Sequence, residues 1–571
     1  MTILSQLEKN VYEICIQLGA KSNFNPNIQK NSQNKNFDYQ INGIISLAKI
    51  LKKNVLKLAK KIIKKMLQTS FYQNLTITKP GFINITLKNE WICLKINKIF
   101  HICTFKIPKI TKKKIIIDFS SPNIAKEMHV GHLRSTVLGD VTSRILKFLG
   151  HHIIKMNHIG DSGTQIGMII TYIMENSITK FDNLKKIYKE SQKKFLSNKN
   201  FSKKTIECVI KLQNKHPKYL KIWKKLRKKT IIQNQKIYKI LKIKLKKKHI
   251  FGESFYYHMI PHMLKDLKKK KITIKKNGTI ISILKSSKNR IGKKMGVILQ
   301  KKNGAYLYAT TDLACLKYRS QILKIDKIIY YTDIRQTQHL KNIWNIAKKA
   351  KYISPNLCLE HHKFGMILSK NKTPFKTREG KTITLYKLIQ ESIIRTQKIL
   401  QEKNKNWTQK KIRKISKKIG IGALKYFEIS KNRKKNYIFN WNKILTLKGN
   451  TSLYIQYAYT RIQSIFKKIK NLKFKKKNLI IINNIYEKKI ILQILKFNDI
   501  LLQIEKLGTP HLLCKYLFTL SENFSCFYEK CPIISEKIKK IKMSRIKIIF
   551  LTAKILKKGL QLLGISIVNE M

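Results

Sequence analysis

The chain has 571 residues, enough for three or four domains, and its 121 Lys and Arg against 29 Asp and Glu give a formal net charge of +92. The nine cysteines include no Cys-x-x-Cys pair, and Cys526 and Cys531 lack a matching His or Cys pair, so no structural zinc is expected. Lys breaks every apolar run before it reaches membrane-spanning length, and charge appears too early in MTILSQLEKN for a signal peptide, so a soluble cytoplasmic protein with no membrane partner is expected. The basicity fits a polyanionic partner. Lys, Ile and Asn nevertheless crowd the whole chain, as A+T-rich codon usage favours, so charge density does not locate a binding face.

Residues 1–108 read as a small α+β domain. Apolar residues recur at helical spacing in the opening segment and in ISLAKILKKNVLKLAKKIIKKML, and GFINITLKN alternates as a strand does. Residues 109–384 read as α/β. IIIDFSS is a strand and turn, Leu138, Val141, Ile145 and Leu149 follow at helical spacing with Gly150 as the C-terminal cap, and HHIIKMNHIGD is the next strand. Residues from about 170 to 300, helical and Lys-laden and then strand-like, have the character of an insertion. A second α/β half follows: LYAT as a strand, a helix through DLACLKYRSQIL, the strand KIIYYTD, a helix through HLKNIWNIAKKA, then LCLEHHKFGMIL. From 385 the pattern is helical to the end, a connecting region over 385–448 and an all-α domain over 449–571.

The block Asp118–Asp140, DFSSPNIAKEMHVGHLRSTVLGD, carries the most chemistry. It sets His129-Val130-Gly131-His132 at the start of a helix, after a strand and a small-residue turn. Unpaired N–H groups and partial positive charge gather there and suit phosphates. The glycine permits close backbone approach, and the imidazoles can donate hydrogen bonds to an α-phosphate as it becomes five-coordinate.

This block resembles the first signature of class I aminoacyl-tRNA synthetases. The string Ser121-Pro122-Asn123-Ile124-Ala125-Lys126-Glu127-Met128-His129-Val130-Gly131-His132 is similar to that of the arginyl-tRNA synthetase family. HIGDSGTQIG (158–167), YATTDLACLKYR (308–319), FGMILSKNKTPFKTREG (364–380) and GNTSLYIQYAYTR (449–461) agree in the family's order. The resemblance implies a multidomain α/β protein: a Rossmann-like catalytic core with an inserted subdomain, an N-terminal α+β domain that meets tRNA, and a C-terminal all-α anticodon-binding domain. It implies ATP-dependent activation of L-arginine, ATP arriving with Mg2+, then transfer to the 3′ end of tRNA(Arg), by a monomer.

By the same resemblance His129, His132 and Lys126 are catalytic. ATP meets His129, Gly131, His132, Phe364, Gly365, Met366 and Lys376. Arginine is held by Asp118, Asn123, His129, Tyr308, Asp312 and Gln336, and a planar guanidinium does call for carboxylates at fixed angles. Asp118 and Asp312 both stand at the C-terminal edges of predicted strands. Taken alone, Asp312 also reads as a helix N-cap and Tyr308 as strand packing. Tyr39 and Asn42 in the first domain and Tyr454 and Tyr457 in the last are implied tRNA contacts, although Tyr454 and Tyr457 share a helical face that core packing would also explain.

The family's second signature, Lys-Met-Ser-Lys, is missing from its place after Phe364-Gly365-Met366, and Lys126 is the expected substitute with Lys376 or Lys370 contributing. Lys542-Met543-Ser544-Arg545 lies too late in the chain and reads as surface. Ser162, Asn440, Asn442 and Lys448 depart from the family pattern.

Overall fold

Ile115, Ile116 and Ile117 bury both faces of one strand. Ile115 and Ile117 enter one hydrophobic core and Ile116 enters another, as a period of two requires. In the computed structural model, which describes residues 2–29, 37–102, 110–179, 181, 183–288, 294–369, 371, 373, 383–469 and 479–571, this strand, Lys114–Asp118, is the centre of a five-stranded sheet. Across the sheet the order is Cys358–His361, Lys327–Tyr330, Lys114–Asp118, His152–Ile159 and Ile250–Gly252, each neighbour parallel. The central strand pairs on one side with the strand that follows it in sequence, and on the other with one that comes 209 residues after Asp118. The chain therefore changes direction of winding at this strand, and a crevice opens at the carboxyl ends there.

The helix Val130–Phe148 crosses from the strand Lys114–Asp118 to the strand His152–Ile159. Its buried row includes Leu138, Val141 and Ile145. Gly150, at φ 98°, closes it: the Gly150 N–H bonds to the Lys147 carbonyl and the His151 N–H to the Leu146 carbonyl. The inserted part carries helices Leu184–Ser197, Lys199–Gln213, Pro217–Ile240 and Ile260–Lys269 and a three-stranded antiparallel sheet. Ahead of the core, a four-stranded sheet packs with helices Ile3–Gln17 and Val55–Met66. ISLAKILKKNVLKLAKKIIKKML is two helices, because Lys52 turns to φ 52° and Asn54 caps a new start. From Leu385 onward helices dominate, with one two-residue strand, Tyr437–Ile438, among the described residues.

LYAT is a helix start. Tyr308–Lys317 is α-helical and runs into a π-helical turn, Tyr318–Ile322. Asp312 therefore sits inside a helix, neither at a strand edge nor at the N-cap, which is Leu307. The alternation of small and apolar residues in LYATT suits either structure, and packing of Ala309, Leu313 and Leu316 on the core selects the helix. Lys542-Met543-Ser544-Arg545 also differs from its surface reading. Ser544 and Arg545 are buried, and Arg545 pairs with Glu487 at 2.8 Å and Glu536 at 2.7 Å.

Candidate active site

The turn between the central strand and its helix is conformationally costly. Ser120, Ser121 and Ala125 all lie at positive φ, at 78°, 47° and 59°. Side chains hold it in place: Ser135 Oγ accepts from the Ser120 N–H at 3.0 Å, Asn157 Oδ1 from the Ser121 N–H at 2.9 Å, and Thr230 Oγ1 from the Ala125 N–H at 2.9 Å. Asn123 stands at the exposed rim, paired with Gly160 across an isolated bridge. A Cβ on Gly160 would lie 2.2 Å from Asn123 Oδ1, so this approach needs glycine. Pro122, Ile124, Ala125 and Met128 are buried, and Glu127 is exposed.

His129 is the N-cap of the helix. Its Nδ1 accepts from the Gly131 N–H at 3.1 Å, and His132 Nδ1 accepts from the His129 N–H at 3.1 Å. Any side chain on Gly131 would strike the His129 ring, at 2.9 Å. Because both Nδ1 atoms accept, the hydrogen of each neutral ring sits on Nε2. Burial, then the nearby Lys126, lowers the His129 pKa, and burial, then His129, pulls His132 down to about 3. The pair is a set of neutral donors at neutral pH. Lys126 lies beside them with Nζ 4.2 Å from the Tyr188 ring centre.

The segment Phe364-Gly365-Met366 is tied to the same helix. Arg134, fully buried two residues after His132, donates to the Gly365 carbonyl at 2.8 Å and to the carbonyls of Lys435 and Asn432. Phe364 and Gly365 are buried and Met366 is half-buried. The Gly365 N–H bonds to Arg433, and the Met366 N–H to Asn436 Oδ1. Lys376 and Lys370 lie outside the described residues. Sequence reading missed Arg134 as the fastener between the two halves, although it stands inside the Asp118–Asp140 block.

Across the crevice, Asp312 accepts from His339 Nε2 at 2.6 Å and pairs with His158 Nε2 at 3.2 Å. Burial works against the Asp312 charge, but the two histidines more than offset it and hold the carboxyl below the usual range. His158 is raised in turn: burial opposes its charge, and Cys315 and Asp312 override that. Tyr308 is 59% exposed and lies against His339, ring centres 4.7 Å apart, so it is not strand packing. Gln336 is exposed one turn before His339.

Sequence reading also missed Glu253. It follows the edge strand Ile250–Gly252 and accepts a hydrogen bond from Ser162 Oγ. Burial, with Asp312 and Asp161 nearby, pushes its carboxyl up to about 7 against the pull of His158 and Ser162. Asp161 locks this turn by accepting from the Ser254 N–H and Oγ, both at 2.9 Å, and a Cβ on Gly252 would overlap it. The available signal was a carboxylate just past a strand end, in GES after a β-branched and aromatic pair. Ser162 is thus a working partner in this pocket. Asn440 caps a helix through the N–H groups of Asn442 and Lys443, which Asn does as well as Asp.

Asp118 corrects the sequence reading. It is buried and bonded to the fully buried Arg319, Oδ2 to Nη2 at 2.6 Å, so an internal guanidinium already takes the place assigned to the substrate. Arg319 reaches it from the π-helical turn, a distortion no local pattern announces. Tyr39 is a second correction: it is 2% exposed, under Lys496, and cannot meet RNA. Asn42 is half-buried with its amide oxygen enclosed. Tyr454 packs on Phe518 at 5.3 Å, whereas Tyr457 is 44% exposed.

A parallel sheet with a His-x-Gly-His helix start at its switch point is the core of a class I aminoacyl-tRNA synthetase, and the profile described as tRNA synthetases class I (R), catalytic domain, matches residues 98–441. The arginyl tRNA synthetase N terminal domain matches residues 5–87 and the DALR anticodon binding domain residues 455–571. An arginine–tRNA ligase of Buchnera aphidicola subsp. Cinara cedri is 55% identical over 571 residues, all of both chains. The crystal structure of arginyl-tRNA synthetase from Plasmodium falciparum superposes with a TM-score of 0.86 at 31% identity, over 100% of this chain and 99% of that one. The arginyl-tRNA synthetase of Thermus thermophilus shares the fold, TM-score 0.82 at 18% identity over 100% of both chains. The chain belongs to the arginyl-tRNA synthetase family. Its activity is arginine–tRNA ligation, a use of ATP that the class implies.

Proposed function

We propose that L-arginine is activated between the two sides of this crevice and passed to the 3′ end of tRNA(Arg), by a cytoplasmic monomer. The single observation that carries the residue assignment is the Glu253–Asp312 pair. Asp312 is balanced by His158, so Glu253 holds the charge left for an incoming guanidinium, and Tyr308 and Gln336 border that end. Asn123 and His129 take the substrate's amino and carboxylate end. The arginine carboxylate oxygen attacks the α-phosphorus of ATP, the bond to diphosphate breaks, and the Nε2–H groups of His129 and His132 donate to the oxygens that gain charge. Lys126 neutralises the phosphates, with Mg2+ entering as part of the ATP substrate. In the second step the ribose hydroxyl of the terminal adenosine attacks the arginyl carbonyl and AMP leaves.

Residues 1–108 and 449–571 are proposed to flank the 109–384 core and the 385–448 connector as the two tRNA-facing domains, with Tyr457 the surviving aromatic contact. The test is arginine-dependent exchange of diphosphate into ATP with tRNA(Arg) present. Exchange driven by another amino acid, or none with arginine, overturns the reading.

A further inference from the structure

A cavity of about 1190 Å³ opens at the far end of the signature helix, lined by Ser143, Arg144, Lys147 and Phe148, by Ile153 and Lys155 of the next strand, by the end of the helix Pro217–Ile240 with the loop after it, by Lys418, and by the end of the last helix and the tail after it. The helix separates its nearest wall, Ser143, from the His129–His132 start by about 17–21 Å at 1.5 Å per residue. Ten of its 22 lining residues are Lys or Arg and none is Asp or Glu. No carboxylate lines the cavity, so its own walls leave these cations unneutralised.

The loop that supplies most of this charge is ordered by alternation. Leu241, Ile243 and Leu245 are buried while Lys242, Lys244 and Lys246 are exposed, so the apolar set anchors the segment and turns the lysines to one side. The neighbouring carboxylate Asp140 is fully buried and already used. It pairs with Arg144 at 2.6 Å and accepts from the Lys244 N–H at 2.9 Å. Lys155 and Lys242 are held in place by the Lys244 carbonyl and Ser566 Oγ. Crowding of like charge is felt locally. Burial, opposed by Asp140 and reinforced by Arg144, Lys244 and Lys147, brings Lys155 down to about 8, and burial with Lys155, Lys248 and Lys246 brings His249 to about 4. An anion would relieve that repulsion.

We propose that this cavity is a second phosphate site, taking a run of adjacent phosphate groups, the chemistry shared by an RNA backbone and a free condensed phosphate. Walls come from segments more than 400 residues apart in sequence, Ser143 and Ile567 among them, so the site exists only in the assembled chain. The RNA source rests on the tRNA reading above, and the free source does not.

The test titrates tripolyphosphate into the full-length protein by calorimetry, over a range of salt. Lys246→Glu with Lys248→Glu, both exposed, should weaken tripolyphosphate binding tenfold or more and flatten its dependence on salt. Lys126→Ala should leave this binding in place, since it lies at the other end of the helix. Lys418→Glu, on a separate element, gives the same reading if the double variant loses its thermal transition. If the double variant also weakens tRNA(Arg) binding and flattens its salt dependence, the source is the RNA backbone. If tRNA binding is unchanged while tripolyphosphate binding is lost, the source is a free condensed phosphate. Equal tripolyphosphate binding by wild type and both cavity variants, or loss in Lys126→Ala alone, overturns the proposal.

Discussion

Asp118 and Glu253 both stand at the carboxyl ends of parallel strands, on the edge that faces the crevice. Asp118 ends the central strand and meets Arg319, buried beside it at 2.6 Å. Glu253 follows the edge strand, and its nearest bonded partner is the Ser162 hydroxyl. The first carboxylate spends its charge on the fold. The second keeps a raised pKa because burial, with Asp312 and Asp161 nearby, outweighs the pull of His158. The difference teaches that a carboxylate at a strand end stays open to a substrate cation where packing has not given it a buried guanidinium.

The largest expected effect separates the two directly. Glu253→Gln should lower kcat/KM for arginine by about 10³-fold, since losing one side of a close charge pair costs about 2–5 kcal/mol and 1.4 kcal/mol is tenfold. Its thermal midpoint should hold or rise, because a desolvated acid is removed. A loss under tenfold would take Glu253 out of the pocket. Asp118→Asn should behave in the opposite way, losing about 3 kcal/mol of stability in denaturant unfolding as Arg319 is left buried without its partner. Arginine KM should change little in the folded enzyme. A large KM rise with normal stability would return Asp118 to the substrate.

On the phosphate side of the crevice, His132→Ala should cut turnover by about 10²-fold or more while arginine affinity is largely kept, the pattern of a donor used at the transition state. Equal turnover would remove His132 from the mechanism. The smallest effect is the dependence on pH. Glu253, raised to about 7, is half protonated at neutrality, and arginine needs the carboxylate. Lowering pH from 8 to 6 should therefore raise KM for arginine by about tenfold, one proton being released on binding, and the shift should vanish in Glu253→Gln. A flat KM over this range in wild type would mean that the pocket is ionised without its ligand.

The signature helix was legible because its determinants are local. His129 as N-cap, Gly131 beneath the imidazole, the apolar row through Ile145 and the Gly150 cap all lie within one short stretch of chain, and each follows from backbone geometry. The ILE-rich strand, the insertion and the helical second part of the chain were legible for the same reason, as periodicities of two and 3.6. LYATT was not, since its small and apolar residues fit both periods until Leu313 and Leu316 meet the core.

What the sequence by itself determined is the order of strand, turn and helix and the placing of two imidazoles at a helix start. Tertiary structure alone decided which acids are available. Arg319 reaches Asp118 across 201 residues, Ser162 meets Glu253 across 91, and His158 and His339 converge on Asp312 from two different elements. Charge availability is a sum over everything packed nearby, and a linear pattern contains no record of that sum.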